Sequence, residues 1–201
     1  MSTILKKVKY RHVYDCRGGT FNFRHPSETL QFRTRFEQDE LPRIGTYGCF
    51  TCVGVYFKVD HGTRAFLAHI NAFKRVFSTE TRMVVPSEGE RLKQRVTSEL
   101  GYHAHDHGWS LTEVDKNSLV MVCPVQEGPV IDHVDKVPIR VKLTGWYIAE
   151  AIKEALGLPA GFRADSAHEG FVVDHHSREV DMIPLRSKAN MKPGKLDGYE
   201  E

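Results

Sequence analysis

Residues 46–70 read TYGCFTCVGVYFKVDHGTRAFLAHI, and the organisation of the chain can be worked outward from them. The runs FTCVGVYFKV at 50–59 and RAFLAHI at 64–70 are rich in β-branched and aromatic residues, and the four residues from Asp60 to Thr63 between them are turn-formers. Two such runs around a short polar break predict a β-hairpin. A hairpin centred between Asp60 and His61 sets Cys52 directly opposite His69, and a centre one residue later makes them diagonal neighbours on the same face. Directly opposed Cβ atoms lie about 5 Å apart and diagonal ones about 7–8 Å, so thiol and imidazole can touch in either register. A half-residue shift of the centre would place them on opposite faces, so the turn decides whether they meet.

On the N-terminal side, SETLQFRTRF at 27–36 alternates apolar Leu30, Phe32 and Phe36 with polar Gln31, Arg33 and Arg35, the period of a half-buried strand. Together with residues 5–14 it suggests that 1–45 form an N-terminal β layer of the same domain, with Glu37–Gly45 as a loop leading to Thr46. Beyond the hairpin, Ser87 and Glu90 have the form of a capping box, and Leu92, Val96 and Leu100 recur at helical spacing up to Gly101. SLVMVCPV at 118–125 reads as a strand covered on both faces. Thr144 is expected to cap a second helix whose apolar stripe includes Trp146, Tyr147, Ile148 and Ile152 and which stops at Gly157 and Pro159. EGFVVD and EVDMIPL flank His175–Arg178 as a last hairpin, and 186–201 read as a loose polar tail. The fold class is therefore α/β or α+β: a mixed sheet or sandwich around a central Cys/His hairpin, with two main helices packed on it. The core spans 46–185.

Composition narrows the classes of function. With 201 residues, 27% charged and 40% hydrophobic, the chain has the profile of one soluble globular domain. A net charge of +2 argues against nucleic acid as a partner. The local run of Lys6, Lys7, Lys9 and Arg11 alternates with Val8 and Tyr10 as an edge strand would. No stretch approaches the roughly 18 apolar residues of a membrane span, and MSTILKKVKY lacks the apolar core of a secretory signal. Four cysteines (Cys16, Cys49, Cys52, Cys123) are few for a disulfide framework, so a reducing, cytoplasmic setting is the expectation, with a secreted effector as the other setting compatible with the sequence.

The hairpin pair carries the chemistry. A thiol near its free pKa of about 8.5 is mostly protonated at neutral pH, while a thiolate beside an imidazolium is stabilised and becomes the reactive nucleophile, a capacity this pair has. Acyl chemistry also needs a group that orients the imidazole and donors for the oxyanion; Thr46 and the backbone N–H groups of Thr51 and Cys52 are the candidates. A cysteine on an apolar strand and a histidine at a strand end are also ordinary structural residues. The different-class alternative is a non-catalytic binding domain in which Cys52 is buried and unpaired with His69.

The segment from Thr46 to Tyr56, followed by Phe66-Leu-Ala-His69-Ile70, resembles the CheD family of bacterial chemotaxis-receptor glutamine deamidases. That family carries a Thr, a Cys six residues later in a GSCV setting, and a His seventeen residues further in an AH setting; Thr46, Cys52 and His69 keep this spacing. The coarse match covers residues 44–185, and Phe50-Thr51 replaces the family's glycine-serine. Its wider superfamily includes the cytotoxic necrotizing factor catalytic domain and the N-terminal asparagine amidohydrolase. The resemblance implies Cys52 as nucleophile, His69 as general base and acid, Thr46 as orienter, a protein or peptide Gln or Asn side chain as substrate, and neither cofactor nor metal.

Other constellations compete. Cys49-x-x-Cys52 has redox-pair spacing, yet an apolar strand rather than a helix follows it. His103-Ala-His105-Asp-His107 invites a metal reading but fits a solvated loop after the first helix. His175 and His176 fall at a hairpin tip, where exposure is expected, and the loops at 38–48, 101–117 and 158–169 are the places to look for substrate recognition.

Overall fold

The computed structural model describes residues 8–23, 42–72, 86–131, 138–185 and 199–200. Its elements run β1 (Val8–Lys9), β2 (Arg11–His12), β3 (Gly18–Asn22), β4 (Arg43–Thr46), β5 (Val53–Val59), β6 (Arg64–Ile70), α1 (Pro86–Asp106), β7 (Asp115–Val122), β8 (Glu127–Ile131), β9 (Pro138–Lys142), α2 (Thr144–Ala155), β10 (His168–Asp174), β11 (Val180–Pro184) and β12 (Tyr199–Glu200). This is the α+β class expected.

The hairpin β5–β6 lies at the centre of an antiparallel sheet ordered β3-β6-β5-β7. Every residue of β5 is buried because both faces are covered. Val53, Val55, Phe57 and Val59, with Phe66 and Ala68 of β6, face a core shared with Leu100 and Ala104 of α1 and Ile148 and Ile152 of α2. Tyr56, Ala65 and Leu67 point the other way, into a second core with Ile44, Phe171 and Val173. That core is closed by the sheet β11-β10-β4-β2, giving three layers: helices, sheet, sheet. The period-two alternation thus assigns each hairpin side chain to one of two apolar cores.

Several expectations are corrected. The segment 37–45 is not all loop: Arg43–Thr46 is a strand, antiparallel to β10 and parallel to β2. Its partners Phe171–Asp174 are over a hundred residues away, so nothing local announces it. The first helix continues through Gly101 to Asp106. A mid-helix glycine costs only about 1 kcal/mol, and burying Ala104 on the next turn outweighs that. The stop is Gly108, at φ +65°, where Gly108 N–H donates to His105 O and Trp109 N–H to Ala104 O, the paired bonds of a Schellman ending. The helix therefore carries His103 and His105, which the sequence reading put in a loop.

Thr144 is not the cap of α2; Leu143 takes that position, and its carbonyl accepts from the Trp146 and Tyr147 N–H groups. The strand read at 118–125 lies at Asp115–Val122. His175 is buried rather than exposed, with Nδ1 2.9 Å from the Tyr56 hydroxyl, Nε2 2.9 Å from Gly62 O, and its ring stacked on Phe23. The strand read at 27–36 lies outside the described residues, as does 186–198, while Tyr199–Glu200 pairs in parallel with β1. Strands β3, β8 and β9 were not foreseen.

Candidate functional site

Strand pairing sets Val53 opposite Ile70 and Gly54 opposite His69, so the hairpin centre is one residue later than the simplest reading. The turn contains a short 3-10 segment in which Asp60 and His61 adopt positive φ. Cys52, just before β5, is consequently a diagonal neighbour of His69 on the same face, in the core between the two sheets. The expectation that the two meet depended on this register.

His69 is almost fully buried, and its two ring nitrogens have different surroundings. On one side, Nδ1 lies 2.8 Å from the hydroxyl of Thr46, itself buried on β4. That hydroxyl donates its one proton to Val13 O at 2.7 Å. Toward His69 it can only accept, so Nδ1 carries the hydrogen and Nε2 the lone pair. The Thr46 hydroxyl thus holds the ring and fixes its tautomer.

On the other side, Nε2 is buried and has no hydrogen-bond partner among the described residues. Asp15 Oδ1 stands 3.7 Å from it and 3.9 Å from Cys52 Sγ. Thiol, carboxylate and imidazole together lie within 4.8 Å of one another. Cys52 Sγ is also 3.8 Å from Asn71 Oδ1, and Asn71 Nδ2 donates to Cys16 Sγ at 3.4 Å. Sequence reasoning missed Asp15 and Asn71. The available signal was the polar, glycine-containing turn Asp15-Cys16-Arg17-Gly18-Gly19 leading into what proves to be β3.

The two buried cysteines near the ring are not equivalent. Cys49 Sγ is 3.8 Å from Nδ1, the nitrogen that carries the hydrogen, and burial pushes its thiol well above the ordinary range. Cys52 is on the Nε2 side with Asp15, and its thiol is also raised, by burial first and by the Asp15 charge. The Ala72 backbone N–H and the Thr51 hydroxyl act in the opposite sense, favouring the thiolate. Burial lowers His69, partly offset by Asp15. Both members of the pair therefore rest neutral, not as a thiolate beside an imidazolium. The chemistry this geometry allows is general-base transfer of the thiol proton to Nε2 during attack.

Gly54 makes the close packing possible. A Cβ there would stand 3.0 Å from Cys49 Sγ and 3.1 Å from Thr46 Cγ2. Of the proposed oxyanion donors, Thr51 and Cys52 occupy the bend between Gly48 and β5, while the Cys49 N–H in the same bend is committed to Glu169 O at 2.8 Å. The His103-His105-Asp106-His107 cluster does not converge as a whole, although the His103 and His107 ring centroids lie 4.2 Å apart. His103 packs edge-on against Phe66 and meets the Thr20 hydroxyl at 3.1 Å, whereas His105 points to solvent. A groove of about 560 Å³ between α1 and the central sheet, lined by Leu92, Val96, Leu100 and Phe66, runs to Cys16 and Asn71 at its site end.

Compared with family models, curated proteins and solved structures, the chain matches none. The fold and a buried Thr46–Cys49–His69 cluster with Cys52 and Asp15 alongside define a protein with a site compatible with Cys–His chemistry.

Proposed function

We propose that this chain is a cysteine-dependent amide hydrolase that deamidates Gln or Asn side chains of proteins or peptides. The observation that carries the reading is the Thr46 hydroxyl: by donating to Val13 O it holds His69 with its Nε2 lone pair on the side of Cys52. The spacing of Thr46, Cys52 and His69 shared with CheD-like deamidases supports the same assignment.

In this mechanism Nε2 takes the Cys52 proton as the sulfur attacks the carboxamide carbon. The imidazolium formed is stabilised by the Asp15 carboxylate at 3.7 Å and by a now charge-assisted bond from Nδ1–H to Thr46. The backbone N–H groups of Thr51 and Cys52 receive the oxyanion. The imidazolium then protonates the departing nitrogen, ammonia leaves, and a thioester remains. Water, deprotonated by the same Nε2, releases the carboxylic acid and returns the thiol. No redox step or external group is required.

The test is ammonia release from a set of Gln- and Asn-containing peptides by metal-free protein, with mass spectrometry locating each amide turned into acid. Conversion by wild type and none by Cys52→Ala supports the reading. Conversion undiminished in Cys52→Ala, or no conversion of any amide by folded wild type, overturns it.

A further inference from the structure

A buried imidazole nitrogen bearing a lone pair and lacking a partner is costly unless something occupies it. Among the described residues His69 Nε2 is such an atom, on a side chain only 3% exposed. A thiol and a carboxylate converge on it from separate parts of the chain: Cys52 from the bend before β5, and Asp15 from the turn before β3. Tetrahedral zinc, with bonds of about 2.0–2.3 Å, needs donors roughly 3.3–3.6 Å apart. Asp15 Oδ1 already stands 3.7 Å from the nitrogen and 3.9 Å from the sulfur. The Asp15 side chain, 55% exposed, can close its own few tenths of an ångström, and the buried sulfur and nitrogen, within 4.8 Å of one another, must draw together by up to about an ångström as the metal binds.

The outer contacts fit as well. Histidines that bind metal hand their other N–H to an oxygen that fixes the ring, and here Nδ1–H reaches Thr46, backed by Val13 O. A sulfur, a nitrogen and one oxygen suit Zn2+ rather than Mg2+ or Ca2+, which take oxygen shells.

We propose that Asp15 Oδ1, Cys52 Sγ and His69 Nε2 form a three-ligand site for Zn2+, with the fourth position open beside the exposed Asp15 carboxylate. On binding, the Cys52 S–H bond breaks, its proton goes to solvent, and a sulfur–zinc bond forms; nothing is oxidised or reduced. Sulfur and imidazole lone pairs are then both held by the metal, so the zinc-bound chain is silent in acyl chemistry and removal of zinc restores it. The ligand geometry stands independently of the hydrolase reading; the silencing rests on it.

The experiment titrates the metal-free full chain with Co2+ and then displaces it with Zn2+. One equivalent of cobalt is expected to give a sulfur-to-cobalt band in the near ultraviolet and the intense visible bands of four-coordinate cobalt, all removed by one equivalent of zinc. Cys52→Ala abolishes the near-ultraviolet band and Cys49→Ala keeps it. Asp15→Asn, a change at an exposed side chain, weakens cobalt binding roughly tenfold or more with the melting transition unmoved. Absence of the band in folded wild type, a band surviving Cys52→Ala, or cobalt affinity unchanged by Asp15→Asn overturns the site. Acylation of Cys52 measured in chelator reports separately on the hydrolase, so either idea can fail while the other stands. Acylation that continues at full rate in zinc-saturated protein overturns the silencing.

Discussion

Replacing Thr46 by valine keeps the shape of the side chain and removes the hydroxyl that joins His69 Nδ1 to Val13 O. In the resting protein this leaves a buried N–H and a carbonyl without their partner, at about 2–4 kcal/mol together. For a chain of this size each kcal/mol moves Tm by roughly 2–4 °C, so the variant should melt about 5–15 °C lower. During catalysis the loss is larger in consequence, because Nδ1–H becomes part of an imidazolium and its bond to Thr46 becomes charge-assisted. A hydrogen bond of that kind is worth about 1.5–3 kcal/mol, which corresponds to a rate loss of roughly 10- to 150-fold. The assay is the burst of leaving group when Cys52 is acylated by an activated ester of glutaric acid monoamide, measured well below the melting temperature. Thr46→Ser, which keeps the hydroxyl, should recover most of the rate. A folded Thr46→Val protein acylated as fast as wild type, or a serine variant as slow as the valine one, would show that the hydroxyl does not orient the base.

Because burial lowers His69, the base should stay deprotonated through neutrality, and the acid limb of the acylation rate should lie below the usual histidine midpoint of about 6.5; a limb at or above that value, in chelator, would contradict the assignment. His175, lowered by burial to about 4, is kept neutral in the folded state while the unfolded chain protonates it near 6.5. Its contribution is therefore present in full above 6.5 and lost as pH falls toward 4, on the order of 3 kcal/mol, and urea unfolding at several pH values should show that slope reduced in His175→Asn. Equal slopes in the two proteins would remove His175 as the cause. Gly54→Ala drives a methyl to 3.0 Å from both Cys49 Sγ and Val122 Cγ2 and should cost about 1–3 kcal/mol while slowing acylation; an unchanged melting temperature would mean the site has more slack than these distances allow.

The proximity of Cys52 and His69 could be read from the chain because both lie on one hairpin, where period-two alternation and a short turn fix who faces whom. The same locality revealed both helices and the last hairpin. What stayed hidden is non-local. Thr46 was named as orienter, but the strand that carries it is held by β10 and β2, and the Val13 carbonyl that fixes its hydroxyl belongs to a third segment. Asp15 approaches only because β3 pairs with β6 across some fifty residues. His175 looked like a hairpin tip, yet its ring is drawn inward by Tyr56, Gly62 and Phe23, none of them near in sequence. The resting protonation state was equally illegible, since the sequence shows a thiol and an imidazole as neighbours but not the burial that keeps both neutral.

The most direct test of the central claim is to find which sulfur becomes acylated. Metal-free wild type, Cys52→Ala, Cys49→Ala and His69→Gln are incubated with the activated ester, quenched in acid, and mapped by peptide mass spectrometry. If Cys52 is the nucleophile and His69 its base, one acyl group is expected on Cys52 in wild type and Cys49→Ala, none in Cys52→Ala, and strongly slowed labelling in folded His69→Gln. Label on Cys49 or Cys16 instead, or Cys52 labelling indifferent to His69, would contradict it.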